Sequence, residues 1–232
     1  VDISVVTYDS SKWIDSFVAS LEALAYPREC LHVQFVDNGS KDATVELLAG
    51  AVRKLTELGF RAGMRSQANL GFGAGHNAGL EGGRADYCLV TNIDLVFEPA
   101  ALSRVVSVAL ADPSAAAWEL RQKPYEHPKY YDPVTGETSW NSHACVLLRR
   151  SAFEQVGGYD RNIFMYGEDV ELSYRLRRAG WLLRYCPGAV VFHYSYEAAG
   201  QVKPLQYTGS TFANLYLRLK YGGWRQMALV PV

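Results

Sequence analysis

Strand-like and helix-like segments alternate through the first half of the chain, and this order restricts the fold more than any other feature. Val1 to Thr7 is a short β-branched run. Ser10 and Ser11 stand as N-caps to a helix with Ile14, Phe17, Val18, Leu21 and Leu24 at helical spacing, which Pro27 stops. Leu31 to Val36 alternates as a strand does and ends in D-N-G-S. Ser40 is then expected to cap the next helix, Asp42 suits its positive end, and Gly59 closes it. A less regular unit runs from Arg61 to Gln67 into N-L-G-F-G-A-G-H-N-A-G. The fourth strand, Tyr87 to Ile93, is followed by Pro99 and an Ala/Val-rich helix ending before Pro113. Such βαβα order predicts a mostly parallel, Rossmann-like sheet with helices on both faces.

The order then breaks. Residues 118–142 are rich in Pro, Tyr, Trp and charge without clean periodicity, and read as a long functional excursion. Ala144 to Arg149 is a further strand, and Ser151 is expected to cap a short helix ending at Gly157-Gly158. Glu168 to Ala179 is a helix closed by Gly180, and Trp181 to His193 a last strand or strand pair. The tail from Thr211 to Met227 is amphipathic and mildly basic, with Phe212, Leu215, Tyr216, Leu219, Tyr221 and Trp224. Packing on the core or on a neighbouring domain is its default reading, and a membrane surface the alternative.

Several classes of function drop out early. A formal net charge of −1 offers no basic excess to hold a phosphate backbone, so nucleic acid is not an expected partner. Cys30, Cys88, Cys145 and Cys186 never fall at C-x-x-C spacing, which removes a zinc or redox motif, and the last three sit in or beside apolar runs as buried free thiols do. No apolar run approaches the roughly 18 residues of a spanning helix. A chain that starts on a strand without Met reads as a cytosolic domain of something longer.

In open α/β sheets ligands bind beyond the carboxyl ends of the strands. Asp9, Asp37 and Asp94 stand at or just after three such ends. Each alone is an ordinary turn former. Three on one rim repel one another, and a cation or hydrogen-bond donors must offset that. The stretch Gly71-Phe72-Gly73-Ala74-Gly75 is no P-loop. It reads either as close packing or as backbone that lets a diphosphate approach. In F-M-Y-G-E-D-V-E-L-S-Y-R, Glu168, Asp169 and Glu171 fill a first helical turn. The helix dipole accounts for the acids, while the aromatic entry suits a carboxylate desolvated enough to act as a base. His193 closes an apolar run and, like His76 and His143, reads first as a structural histidine; His32 and His127 look incidental.

Taken together, V-V-T-Y-D, V-D-N-G-S-K-D, N-L-G-F-G-A-G-H-N-A-G, T-N-I-D, L-R-R-S-A-F-E-Q-V-G-G-Y-D and F-M-Y-G-E-D-V-E-L-S-Y-R-L-R-R-A-G-W, in this order, resemble the inverting family 2 glycosyltransferases of the GT-A fold. The N-x-G-F-G-A-G-H-N form is most similar to bacterial rhamnosyltransferases and their galactofuranosyltransferase relatives. The resemblance implies a nucleotide-sugar donor, dTDP-rhamnose first and a UDP-sugar second. It implies as acceptor a hydroxyl of a bacterial surface polysaccharide or its lipid-linked precursor, and a cytoplasmic setting at the inner face of the membrane. It divides a single domain, 1–232, into a nucleotide-sugar half (1–117), an acceptor and catalytic half (118–200) and a helical tail (201–232). Thr7, Asp9, Asp37, Asn69, Gly71, Asn77 and Asn92 would then face the donor nucleotide. Asp94, with His193, would hold Mg²⁺ or Mn²⁺. Asp169 would be the catalytic base, and Trp140, Tyr166 and Glu168 would meet the acceptor, with Trp118, Tyr125, Tyr130 and Tyr131 of the excursion shaping that side. Asn92 departs from the family's D-x-D, which leaves open a metal-free site or a degenerate binding module. A sugar nucleotidyltransferase fits less well, because T-Y-D-S-S-K is not its glycine- and Arg/Lys-bearing first loop.

Overall fold

A computed structural model describes residues 1–194 and 204–223. Its first half follows the alternation: β1 (Asp2–Thr7), α1 (Ile14–Glu22), β2 (His32–Asp37), α2 (Thr44–Glu57), β3 (Arg61–Ser66), α3 (Phe72–Leu80) and β4 (Tyr87–Asn92). There follow β5 (Leu95–Phe97), α4 (Ala101–Ala111), β6 (Ala115–Lys123), β7 (Cys145–Arg149), α5 (Arg150–Gln155), α6 (Glu168–Arg178), β8 (Leu182–His193) and α7 (Pro204–Tyr221). The eight strands form one sheet ordered β3-β2-β1-β4-β7-β6-β8-β5. Pairing is parallel from β3 to β4 and between β6 and β8; β7 runs antiparallel to both its neighbours, and β5 antiparallel to β8.

Period-2 alternation divides the strands between two cores. Leu89 of β4 and Leu147 of β7 join Ile3, Val5, Phe17, Phe35 and Trp118 on one face, while Cys88, Val90, Val146 and Leu148 join Phe153, Tyr159, Leu172 and Leu176 on the other. The helices supply matching stripes. Ile14, Phe17, Val18 and Leu21 of α1 are buried, as are Leu48, Ala51 and Leu55 of α2. Cys88, Cys145 and Cys186 are buried free thiols, and Cys30 is exposed.

Some local expectations are corrected. The serines do not cap. The Ser10 hydroxyl bonds the Tyr8 carbonyl, Ser40 Oγ bonds Asp37, and α5 starts at Arg150 with no side-chain cap from Ser151. The excursion begins later than composition implies, because 115–123 is strand β6. Trp118 is therefore fully buried core and no part of an acceptor surface, and the 117/118 division cuts through a strand. The last helix begins at Pro204, well before Thr211, and Trp224 to Met227 lie outside the described residues. Among the described residues no helix is long and apolar enough to cross a membrane.

Candidate active site

Parallel pairing brings Thr7 level with Asp37 and Val6 level with Asn92, so the ends of β1, β2 and β4 open on one rim. β8 runs parallel to β6 and delivers His193 to that rim beside Leu95.

At the β1–β2 end the carboxylates build the loops. Asp37 is 1% exposed. It accepts from Thr7 Oγ1, from Ser40 Oγ and from the Gly39 and Ser40 N–H groups, which fills the four lone-pair positions of a carboxylate. A nucleotide reaching Asp37 has to displace one of these donors. Asp9 stays exposed, held at φ 46° with one oxygen accepting Lys41 N–H. Tyr8 is half exposed beside it.

The glycine-rich stretch serves packing. Gly71 has φ 97°, and a Cβ there would overlap the Phe164 carbonyl oxygen that accepts Phe72 N–H. A side chain on Gly79 would run into Ser4 and Val36, so its absence lets α3 lie directly on the sheet. Gly71 is thus buried beneath the chain leading to α6. Exposed Asn69 turns its side-chain carbonyl back to Gly71 N–H. The Asn77 amide is tied to backbone, donating to the Tyr159 carbonyl and accepting Tyr159 N–H.

At the β4–β8 end three groups converge. His193 Nε2 lies 3.3 Å from Asp94 Oδ1 and 3.5 Å from Asn92 Nδ2, and its Nδ1 lies 2.8 Å from Gln122 Oε1. Asn92 Oδ1 is buried without a partner. A divalent cation fits this set. Its positive charge would satisfy the orphaned oxygen and separate the carboxylate from the imidazole lone pair. Among the described residues no three His, Cys, Asp or Glu side chains gather. A cation held here would take few ligands from these side chains and would draw the rest from water and phosphate oxygens.

Across from this corner lies the first turn of α6. Its entry is strained into place, with Tyr166 at φ 68° and Gly167 at φ 97°. Gly167 abuts Ala213 of α7, and Gly209 of the same helix abuts Met165 and Tyr166, so α7 braces this entry. It is also pinned by charge: Lys220 Nζ reaches Asp160 (2.6 Å) and Glu171 (2.8 Å), and Arg175 grips the fully buried Glu171. Glu171 is thereby structural. Asp169 accepts the N–H groups of His143 and Val170. Burial raises the proton affinity of both Asp169 and Glu168, the charge of Asp169 adding to the effect on Glu168, while those N–H groups and the field of Lys129 oppose it at Asp169. Glu168 Oε2 is buried and unpaired.

Those shifts carry a pH signature. Above the ordinary carboxylate range the unfolded chain ionises Glu168 while the folded chain keeps its proton, so stability falls as pH rises through that window. Glu168→Gln is expected to raise Tm at pH 8, by about 2–4 °C for each kcal/mol released, and to give no gain at pH 4. Thermal melts at both pH values check it; an equal gain at both would mean the charge is not responsible.

Below Asp169 lie His143 and His76, both buried and neutral, their proton affinities pushed down to about 3 by desolvation. His143 Nδ1 bonds Tyr159 OH, and His76 Nδ1 bonds Ser4 Oγ. In the excursion after β6, half-buried Trp140 receives Lys129 Nζ 4.7 Å over its ring and on its carbonyl, and His127 edge-on. Sequence reasoning missed Lys129, Glu119 and Gln122. The signal was weak, because the register of β6 with β8 shifts between Leu120 and Arg121. Glu119 and Gln122, an odd number of residues apart, both reach Ser142, so no alternation marks them as one surface.

Comparison with known proteins bears on this arrangement. The model for glycosyl transferase family 2 matches residues 2–170, and that for a glycosyltransferase-like family 2 matches 135–208. An N-acetylglucosaminyl-diphospho-decaprenol L-rhamnosyltransferase of Mycobacterium tuberculosis is 29% identical over 96% of this chain and 85% of its own. Rhamnosyltransferase WbbL of Escherichia coli is 40% identical over 29% of this chain and 25% of its own. In fold, the mannosyltransferase PcManGT of Pyrobaculum calidifontis, solved with GDP-Man and Mn²⁺, superposes with a TM-score of 0.68 at 18% identity, covering 99% of this chain and 77% of its own. GalNAc-T7, solved with UDP, GalNAc and Mn²⁺, superposes with 0.75 at 14% identity, over 97% of this chain and 49% of its own. The fold is GT-A. With a family model running unbroken from β1 to the first turn of α6, the chain belongs to glycosyl transferase family 2 and is a glycosyltransferase.

Proposed function

We propose that this glycosyltransferase moves rhamnose from dTDP-rhamnose, with inversion, to a hydroxyl of a lipid-linked precursor of a bacterial surface polysaccharide. The observation that carries the reading is the corner where Asp94, His193 Nε2 and the orphaned Asn92 Oδ1 face one another, on the same rim as the desolvated Asp169. The likeness to the mycobacterial rhamnosyltransferase supports the choice of sugar and of a lipid-linked acceptor.

In this reading the β1 and β2 loops, with Tyr8 and Asp9 on the rim and Thr7 and Asp37 beneath, hold the nucleotide. Asp94 and His193 would hold Mg²⁺ or Mn²⁺, with Asn92 Oδ1 beside them. A bound cation would offset the negative charge that gathers on the departing diphosphate. Asp169 takes the proton of the acceptor hydroxyl as that oxygen attacks the anomeric carbon from the opposite face. Glu168, Tyr166 and Trp140 line the acceptor side.

Calorimetric titration with dTDP, UDP and GDP, each with and without Mn²⁺, tests the reading. Metal-dependent preference for dTDP supports it, and preference for UDP moves the donor to a UDP-hexose or UDP-galactofuranose. If none binds, a degenerate module replaces the enzyme. Asn92 also offers a graded test: Asn92→Asp adds a second carboxylate and is expected to tighten Mn²⁺ binding by about tenfold, as ligand charge tunes such sites. Unchanged or weaker binding would place the cation away from residue 92.

A lipid-linked acceptor places the enzyme at the cytoplasmic face of the membrane. Leu205, Phe212 and Leu219 of α7 recur every seventh residue and are all more than half exposed, an apolar stripe suited to that surface. Phe212→Ser is expected to reduce flotation with anionic vesicles severalfold; unchanged flotation would remove α7 from the contact.

A further inference from the structure

Gln122 sits one step behind the β4–β8 corner, its amide spanning from the ring of His193 to the Ser142 hydroxyl. It is 3% exposed, as is Ser142. Its Oε1 faces His193 Nδ1 at 2.8 Å, and its Nε2 donates to Ser142 Oγ at 3.1 Å. Ser142 is itself fixed, its N–H donating to buried Glu119 at 2.6 Å. The amide is thus anchored at its nitrogen end and presents a carbonyl to the imidazole. A carbonyl accepts, so Nδ1 carries a ring proton, and in the neutral ring, which a cation beside Asp94 requires, Nε2 keeps its lone pair. Nε2 itself stands between the Asp94 carboxylate at 3.3 Å and the Asn92 NH₂ at 3.5 Å, and Asn92 Oδ1 is left without a partner.

We infer that Gln122 is a positioning residue that fixes His193 as the Nδ1–H tautomer and aims its bare Nε2 between Asp94 and Asn92, toward a divalent cation. The inference rests on the metal reading above and deepens it. A glutamine suits this position better than a carboxylate would. It orients the ring without adding negative charge, leaving the site with the one carboxylate of Asp94. Groups behind a metal-bound histidine matter at this scale generally, their loss lowering metal affinity by about 10–100-fold.

The first measurement reads the wild-type ring, with His193→Gln serving only to assign its signal. Long-range ¹H–¹⁵N correlation spectra of the metal-free protein, at a pH where the ring is neutral, should show His193 as the Nδ1–H tautomer. An Nε2–H tautomer overturns the inference. The second measurement is Mn²⁺ affinity from the free-ion EPR signal in the presence of dTDP. Gln122→Leu is expected to bind Mn²⁺ about 10–100-fold more weakly and to lose the Nδ1–H signature. Ser142→Ala, which frees the amide to turn over, should weaken binding less and show a mixture of tautomers. Asp94→Ala and His193→Gln separate the two claims. If these abolish Mn²⁺ binding while Gln122→Leu binds as wild type with an unchanged tautomer, the positioning role fails and the metal site stands. If Asp94→Ala and His193→Gln bind Mn²⁺ as wild type, the metal reading fails, and this inference fails with it.

Discussion

Asp169→Asn is expected to lower transfer from dTDP-rhamnose to a lipid-linked acceptor by roughly 10²–10⁴-fold, the usual contribution of a positioned general base. Dissociation constants for dTDP and Mn²⁺ should stay within about threefold of wild type, since the substitution conserves volume and leaves the β1, β2 and β4 ends untouched. The expectation follows from how α6 starts. Asp169 is fixed by the N–H groups of His143 and Val170, and burial raises its proton affinity toward the range where a base can take a hydroxyl proton. Asn keeps an acceptor for the same N–H groups, so the geometry survives while the basicity does not. Activity within threefold of wild type would move the base elsewhere, and Glu168, buried next door with its Oε2 unpartnered, would be the first residue to try.

How much of this could be read beforehand differs by level. The parallel half of the sheet was legible because hydrophobic period and helix breakers agree along residues 1–112. The rim carboxylates were legible because strand ends are where α/β sheets bind ligands. Pairing beyond β4 was not. β7 inserts antiparallel between β4 and β6, and no local signal sets that order. Strand β6 was lost to its own composition, since A-A-A-W-E-L-R-Q-K mixes small, aromatic and charged residues with no clean alternation. The glycines of 71–79 were seen, but whether their missing side chains make room for ligand or for backbone depends on Phe164 and Ser4, far away in sequence. The backbone anchorage of Asn77 was hidden for the same reason: its partner, Tyr159, is 82 residues distant. Asp37 combines both levels, a residue named correctly as part of the rim whose hydrogen bonds turn it inward to its own loop.

The largest stability effect is expected at Lys129, which sequence reading passed over. Its ammonium and the Glu119 carboxylate form an ion pair with only 5% and 4% of their side chains exposed. Desolvation lowers the proton affinity of Lys129 and raises that of Glu119, in each case against the pull of the partner, so both charges are held at a cost. Removing one partner leaves the other buried and uncompensated. Lys129→Met is expected to destabilise the domain by about 3–5 kcal/mol. Part of that would be lost packing, since the Lys129 ammonium also caps the Trp140 ring and carbonyl. The double variant Glu119→Gln with Lys129→Met removes both charges and keeps a side-chain carbonyl for the Ser142 N–H. It should recover more than half of the loss. Denaturant unfolding of the two variants and wild type decides the matter. A loss below about 1 kcal/mol for Lys129→Met would mean that water reaches the pair and that it behaves as a surface ion pair does. Failure of the double variant to recover would assign the loss to Trp140 packing instead. The pair also ties stability to the site, because Glu119 holds Ser142 and Ser142 holds Gln122. A variant that lets Glu119 turn away should therefore weaken Mn²⁺ binding as well as the fold, while one that only thins the packing at Trp140 should weaken the fold and the acceptor side alone.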